Sequence, residues 1–378
     1  MTRPTPGIGR RGLLVAGSVL VGCGGATTGP DPAPTLGIVV TGRIERSSTL
    51  TLTVREDGLV VPPASITWRA EPPGAAEFPG AGEARLLEAG SVTLIAESAG
   101  KTGRTSLNVS TPPRIVFDMR LLGVRDVYVV ALDGLDLLRL TTEPADDLDP
   151  TSAAGQVVFT SFRDGNAELY SVPVAGGAVA RLTQTAESEK APAFSPGGNE
   201  IAFIRDAGGL ERVWRANADL SNDRRAFGDF GPGSAVESAP AWSPDGSRLA
   251  FMSTAAGNAD VFEVLLATGQ ITVVADDAAP DFQPVFDPGG GMVVYSSERS
   301  GDLELYAGSA LGGEPDRLTV RAGDDSAPAF LPDGRLLWIA GTPAGNEIRW
   351  MDPDDPSDSG IVPLPEGADP GNPSPVLP

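Results

Sequence analysis

Five carboxylates recur at one spacing in this sequence. Asp147, Glu189, Glu237, Asp281 and Asp325 each stand three residues before a proline: Pro150, Pro192, Pro240, Pro284 and Pro328. Brought together, such acids could hold a hard cation such as calcium, which takes oxygen ligands, or the basic groups of a peptide. They could equally accept hydrogen bonds from turn amides or pair with an arginine of a neighbouring repeat, such as Arg181. The sixth position, near Gly371, lacks the acid.

Composition narrows the remaining chemistry. The 378 residues contain no histidine and one cysteine, Cys23. Ser-His-Asp and Cys-His mechanisms and the usual histidine-rich metal sites are therefore out of reach. No G-x-S-x-G elbow, phosphate-binding loop or dinucleotide fingerprint occurs. A carboxylate-only hydrolase would need an acid pair that stands apart from the repeat, and none does. The sequence thus predicts a non-enzyme with no catalytic residues, no confident metal site and no cofactor, calcium at the five acids being the alternative. The 50 acidic residues against 28 basic ones give a net charge of −22, which disfavours nucleic acid and repels an anionic bilayer surface.

The elements that position the acids repeat with a period in the forties. The leading prolines from Pro150 to Pro328 step by 42, 48, 44 and 44 residues. A period of this size with several strands per unit predicts propeller blades. Each unit reads as a Pro-led strand, a Pro-Asp-Gly or Pro-Gly-Gly turn, an apolar strand such as 248–253 (RLAFMS), an edge strand such as LYSV or LYAG, and an outer Arg-Leu-Thr strand at 181–183 and 317–319. Residues 115–142 supply three strands of a unit without its first, and 372–378 (NPSPVLP) resembles the missing one. That predicts six blades closed by the C-terminal strand, which would remove exposed sheet edges.

Pro240-Ala241-Trp242-Ser243-Pro244-Asp245-Gly246 matches the opening P-x-[FW]-S-P-D-G of the PD40 (TolB-type, WD40-like) repeat, and other units carry its later I/L-A-F, G-N-x-[ED]-[LI]-Y and R-L-T segments, so the units together resemble that repeat. The resemblance implies a TolB-like propeller over 113–378 and partners among envelope proteins or peptides.

Upstream, 37–42, 48–56, 65–71, 90–100 and 106–110 alternate apolar and polar residues between Gly/Pro turns, as antiparallel strands of a small sandwich do. Trp68, with Ile66 and Ala70 on the same face, is the expected core residue. The order resembles bacterial Ig-like domains of the Big family, which implies a spacer or adhesive module at 37–111.

The N-terminus carries Arg3, Arg10 and Arg11, then the apolar run 12–22, too short to span a bilayer but suited to a signal peptide. Leu20-Val21-Gly22-Cys23 resembles the lipobox of bacterial lipoproteins. The resemblance implies cleavage after residue 22, lipidation of Cys23 and a tether at 23–36. Arg10-Arg11 also weakly resembles a twin-arginine signal, so the export route stays open. The expectation is an all-β, monomeric, lipid-anchored protein of the cell envelope, on the outer membrane facing the periplasm or the cell surface in a Gram-negative cell.

Overall fold

The computed structural model describes residues 36–121 and 123–377. The expected leader, Cys23 and the tether up to residue 35 lie outside the described residues. Among the described residues one short 3-10 turn, Pro63–Ser65, is the sole helical element, and no helix is long and apolar enough to cross a membrane. The chain divides into two units between Pro112 and Pro113.

The first unit packs two sheets over one core. One sheet orders Gly37–Thr41, Thr49–Glu56, Glu83–Leu86 and Ala76–Glu77, with Leu59–Val60 beside the second of these; the other orders Thr67–Glu71, Gly90–Ser98 and Lys101–Val109. Period-two alternation turns Leu50, Leu52 and Val54 inward and the intervening threonines outward. Leu94 and Leu107 meet them from the facing sheet. Trp68 packs against this core and stacks on Phe78, ring centroids 5.8 Å apart. The strand Glu83–Leu86 escapes sequence reading because its four residues alternate a charge with Ala84 and Leu86 and are too few to show a period.

The second unit comprises six four-stranded antiparallel sheets. The second to sixth sheets begin with Asp147–Ala153, Ser188–Phe194, Glu237–Trp242, Asp281–Phe286 and Asp325–Phe330, and each continues with the next three strands of the chain. The first sheet holds Arg114–Arg120, Arg125–Ala131 and Leu138–Arg139, and Asp369–Pro375 pairs with Arg114–Arg120 in register Gly371 to Asp118 and Ser374 to Val116. The second strand of every sheet reads as nearly continuous apolar sequence because both its faces are buried. In the third sheet, for example, Ile201 and Phe203 pack toward the second sheet while Ala202 and Ile204 pack toward the fourth. Six such clusters join neighbouring sheets, one of them joining the sixth to the first through Ile115, Phe117, Leu337 and Ile339.

The turn between first and second strands is set locally. Asp245 accepts hydrogen bonds from Ser243 Oγ (2.6 Å) and the Ser247 amide (3.0 Å), which push its carboxyl down to about 2. Gly246 then takes φ +71, a conformation that favours glycine.

Candidate functional site

Every first strand carries the same β-bulge. The register slips beside Asp149, Ala191, Ala239, Gln283, Ala327 and Asn372, and all six residues take positive φ between 42° and 52°. Each is followed by the repeat's proline. A bulge sets two residues against one and re-aims the strand. Here it presents the bulge residue and its proline to a cavity of about 490 Å3 lined by the first strands of all six sheets.

The cavity wall is mostly apolar. Besides the prolines it consists chiefly of Phe194, Trp242, Phe286, Phe330 and Leu377. Trp242 Nε1 donates to the Ala193 carbonyl at 3.0 Å, so its polar edge is satisfied within the wall. Three of the six bulge residues add polarity: Asp149, Gln283 and Asn372. Asn372 Nδ2 lies 2.9 Å from both Asp149 Oδ1 and Asp118 Oδ2. Arg125 holds Asp118 at 2.5 Å and Asp369 at 2.7 Å. Burial, with the Asp118 charge beside it, pushes Asp149 up to about 7. The sequence hides Asp149 because the same position is alanine in three other repeats.

The five acids singled out by their spacing are placed differently. Asp147, Glu189, Glu237, Asp281 and Asp325 are all fully buried, and none lines the cavity. Each meets a guanidinium: Arg163 on Asp147 (2.9 Å), Arg205 on Glu189 (2.8 Å), Arg225 on Glu237 (3.2 Å), Arg299 on Asp281 (3.1 Å) and Arg321 on Asp325 (2.6 Å). Of the two sequence readings, arginine pairing is the one that describes these side chains. The partners differ from the one expected, since Arg181 turns to Glu168 of its own sheet. Arg163, Arg205 and Arg299 come from the acid's own sheet; Arg225 and Arg321 come from the chain just before it. Even so paired, Glu189, Glu237, Asp281 and Asp325 are pushed upward by burial. Among the described residues no three acids are placed to hold a metal ion.

The sequence matches the TolB β-propeller domain family (PD40) over residues 86–226 and 218–374, more than half the chain. This chain belongs to the TolB β-propeller family. The fold is also similar to TolB from Acinetobacter baumannii, with 16% identity and a TM-score of 0.63 over 77% of this chain and 81% of that one. A protein assigned as TolB from Agrobacterium tumefaciens matches at 15% identity and a TM-score of 0.55 over 66% and 88%. The hydrazine synthase of Kuenenia stuttgartiensis matches at 15% identity and a TM-score of 0.57 over 70% and 47%. At these identities the likeness concerns fold alone.

Within this TolB-type propeller the Arg-Leu-Thr segment has a definite task. The arginine covers the buried acid that opens or directly precedes the apolar part of the third strand: Arg139 on Asp126 (2.6 Å), Arg181 on Glu168 (2.9 Å) and Arg317 on Glu304 (2.8 Å). The threonine hydroxyl accepts the next amide of that strand, with Thr141, Thr183 and Thr319 at 2.9, 2.8 and 2.9 Å from the amides of Val127, Leu169 and Leu305. In the sequence, the [ED] position of the G-N-x-[ED]-[LI]-Y segment marks Glu168 and Glu304, whereas Asp126 has no such segment around it.

Proposed function

We propose that this chain is a non-catalytic cell-envelope lipoprotein whose six-bladed propeller, closed by the C-terminal strand, binds a protein or peptide at its central cavity. The observation that carries this reading is the cavity itself. It gathers prolines and aromatic rings from six sheets, has few polar groups, and is of a size that accepts side chains or a short segment. The neutralised acids around it support a scaffold rather than a catalyst, because each carboxylate is already committed to an arginine. The unit at 36–112 fits an Ig-like spacer, and Cys23, lipidated, would anchor the chain to the envelope. Attachment by several acyl chains suits a body too acidic to adhere by charge.

A second reading is a small-ligand propeller using the same cavity, favoured by the Asp149, Asn372 and Gln283 side chains on an otherwise apolar wall. Site-specific photo-crosslinking in the native envelope separates the two. A crosslinker at Phe194 is expected to capture one defined protein, and Ala239→Arg, which fills the cavity, is expected to abolish that capture. Capture only from a crosslinker at the outer turn residue Leu311 would overturn the cavity reading.

A further inference from the structure

The repeats provide an internal control for one position. In the first, second and fifth sheets a fourth-strand arginine stands opposite a tyrosine: Arg139 with Tyr128, Arg181 with Tyr170 and Arg317 with Tyr306. Each of these arginines covers a buried acid two residues before its tyrosine. In the fourth sheet the corresponding acid is Asp260 and the residue opposite Phe262 is Val273. The threonine two positions on is replaced by Ala275.

The acid nevertheless stays inside. Asp260 is 1% exposed and its Oδ1 meets no hydrogen-bond donor. Val273, in the arginine's place, is 43% exposed. Asp276 and Asp277 are exposed just beyond it; Arg299, already paired with Asp281, acts on Asp277, but the charges that act on Asp260 are all carboxylates. Burial first, then the carboxylates of Asp281, Asp276 and Asp277, push Asp260 up to about 6. A buried carboxylate without a counter-charge is costly, so this slot favours a positive group. The described acids are not placed to hold a metal ion, which leaves an organic cation. A guanidinium fork matches a carboxylate, and its aliphatic stem can lie along Val273.

We propose that the outer edge of the fourth sheet docks an arginine side chain of a partner polypeptide over Asp260, in the slot that Arg181 and Arg317 fill in their own sheets. None of Asp260, Val273, Asp276 and Asp277 lines the central cavity, so this site stands or falls independently of the cavity reading.

The test uses the full chain and a fluorescent, end-blocked tetra-arginine peptide, with a tetra-lysine peptide beside it. Three variants each add one positive unit: Val273→Arg supplies the missing arginine internally, Asp260→Asn removes the acid, and Leu311→Arg changes a residue 96% exposed on an outer turn. Thermal melts establish that each is folded, and Asp260→Asn reads the site if Val273→Arg does not fold. Affinity for tetra-arginine is expected to fall about tenfold in the first two and to stay near wild type in Leu311→Arg. Equal weakening in all three, no weakening in any, or no binding by wild type would overturn the proposal. Tetra-lysine binding as tightly as tetra-arginine would overturn the assignment to guanidinium.

Discussion

Arg163 Nη2 lies 3.0 and 2.9 Å from the two carboxylate oxygens of Asp147, an acid with no exposed surface. The same guanidinium donates through Nε to Ser161 Oγ at 2.8 Å and sits 4.6 Å over the Tyr170 ring. Arg299 repeats the arrangement with Asp281, Ser297 and Tyr306. Carboxylate, hydroxyl and aromatic face together fix the arginine in two of the six sheets.

Removing that arginine strands a buried charge. Arg299→Ala is expected to destabilise the propeller by about 3 kcal/mol, because Asp281 then loses its partner without regaining water. Adding Asp281→Asn should recover part of the loss. Urea denaturation of the two single variants and the double variant measures the coupling; additive losses would show that the pair is not a unit.

The threonine just after the outer strand should matter through one amide and one carboxylate. Thr319→Val deprives the buried Leu305 amide of its acceptor and the buried Glu304 carboxylate of a donor, and is expected to cost ~1–3 kcal/mol. Hydrogen exchange at Leu305 should accelerate in the variant, while exchange in the third sheet stays unchanged.

Asp260 gives stability a pH dependence of known sign. Its carboxyl is raised to about 6 in the fold, above the unfolded value near ~4. The fold therefore favours the protonated form, and this contribution is full below about pH 4 and lost as pH rises through about 6. Asp260→Asn should be more stable than wild type at about pH 8, by on the order of 1 kcal/mol after screening near the surface. That advantage should shrink on acidification through about pH 6, as denaturation series across this range would show.

Asp149 should control what charge the cavity admits. It is raised to about 7 and lines the wall, so the cavity gains a negative charge as pH rises through that value. An anionic apolar dye such as anilinonaphthalene sulfonate should bind better below about pH 7 than above it. Asp149→Asn should flatten the profile; an unchanged profile would place the dye elsewhere.

The unit at 36–112 has its own core, and a hole in it should be felt there. Leu94→Ala is expected to cost ~3 kcal/mol, since Leu94 is fully buried among Leu50, Leu52 and Leu107. Calorimetry should show one transition moving down while the propeller's transition stays in place.

Whatever depends on neighbours in the chain is legible in the sequence. The period in the forties, the Pro-Asp-Gly turn that needs Gly246, the apolar second strands and the acid three residues before each proline all follow from strand alternation and turn chemistry. The Arg-Leu-Thr segment is legible as the end of a unit, although the outer strands are Ala180–Arg181 and Asp316–Arg317 and stop at its arginine. Only the tertiary structure decided which arginine each acid meets, because Arg225 and Arg321 reach acids that open the next sheet while Arg163 and Arg299 serve their own. It also turned the five acids into the sheets and gave the cavity to the bulge residues beside them, a swap of faces that depends on where the ladder slips. Asp149 and Asp260 differ from the other acids in what the sheets place around them: Asp118 beside one, and Val273 where an arginine stands elsewhere. Side-chain environment in a repeat fold is set by packing between sheets, and a sequence read one repeat at a time carries only half of each contact.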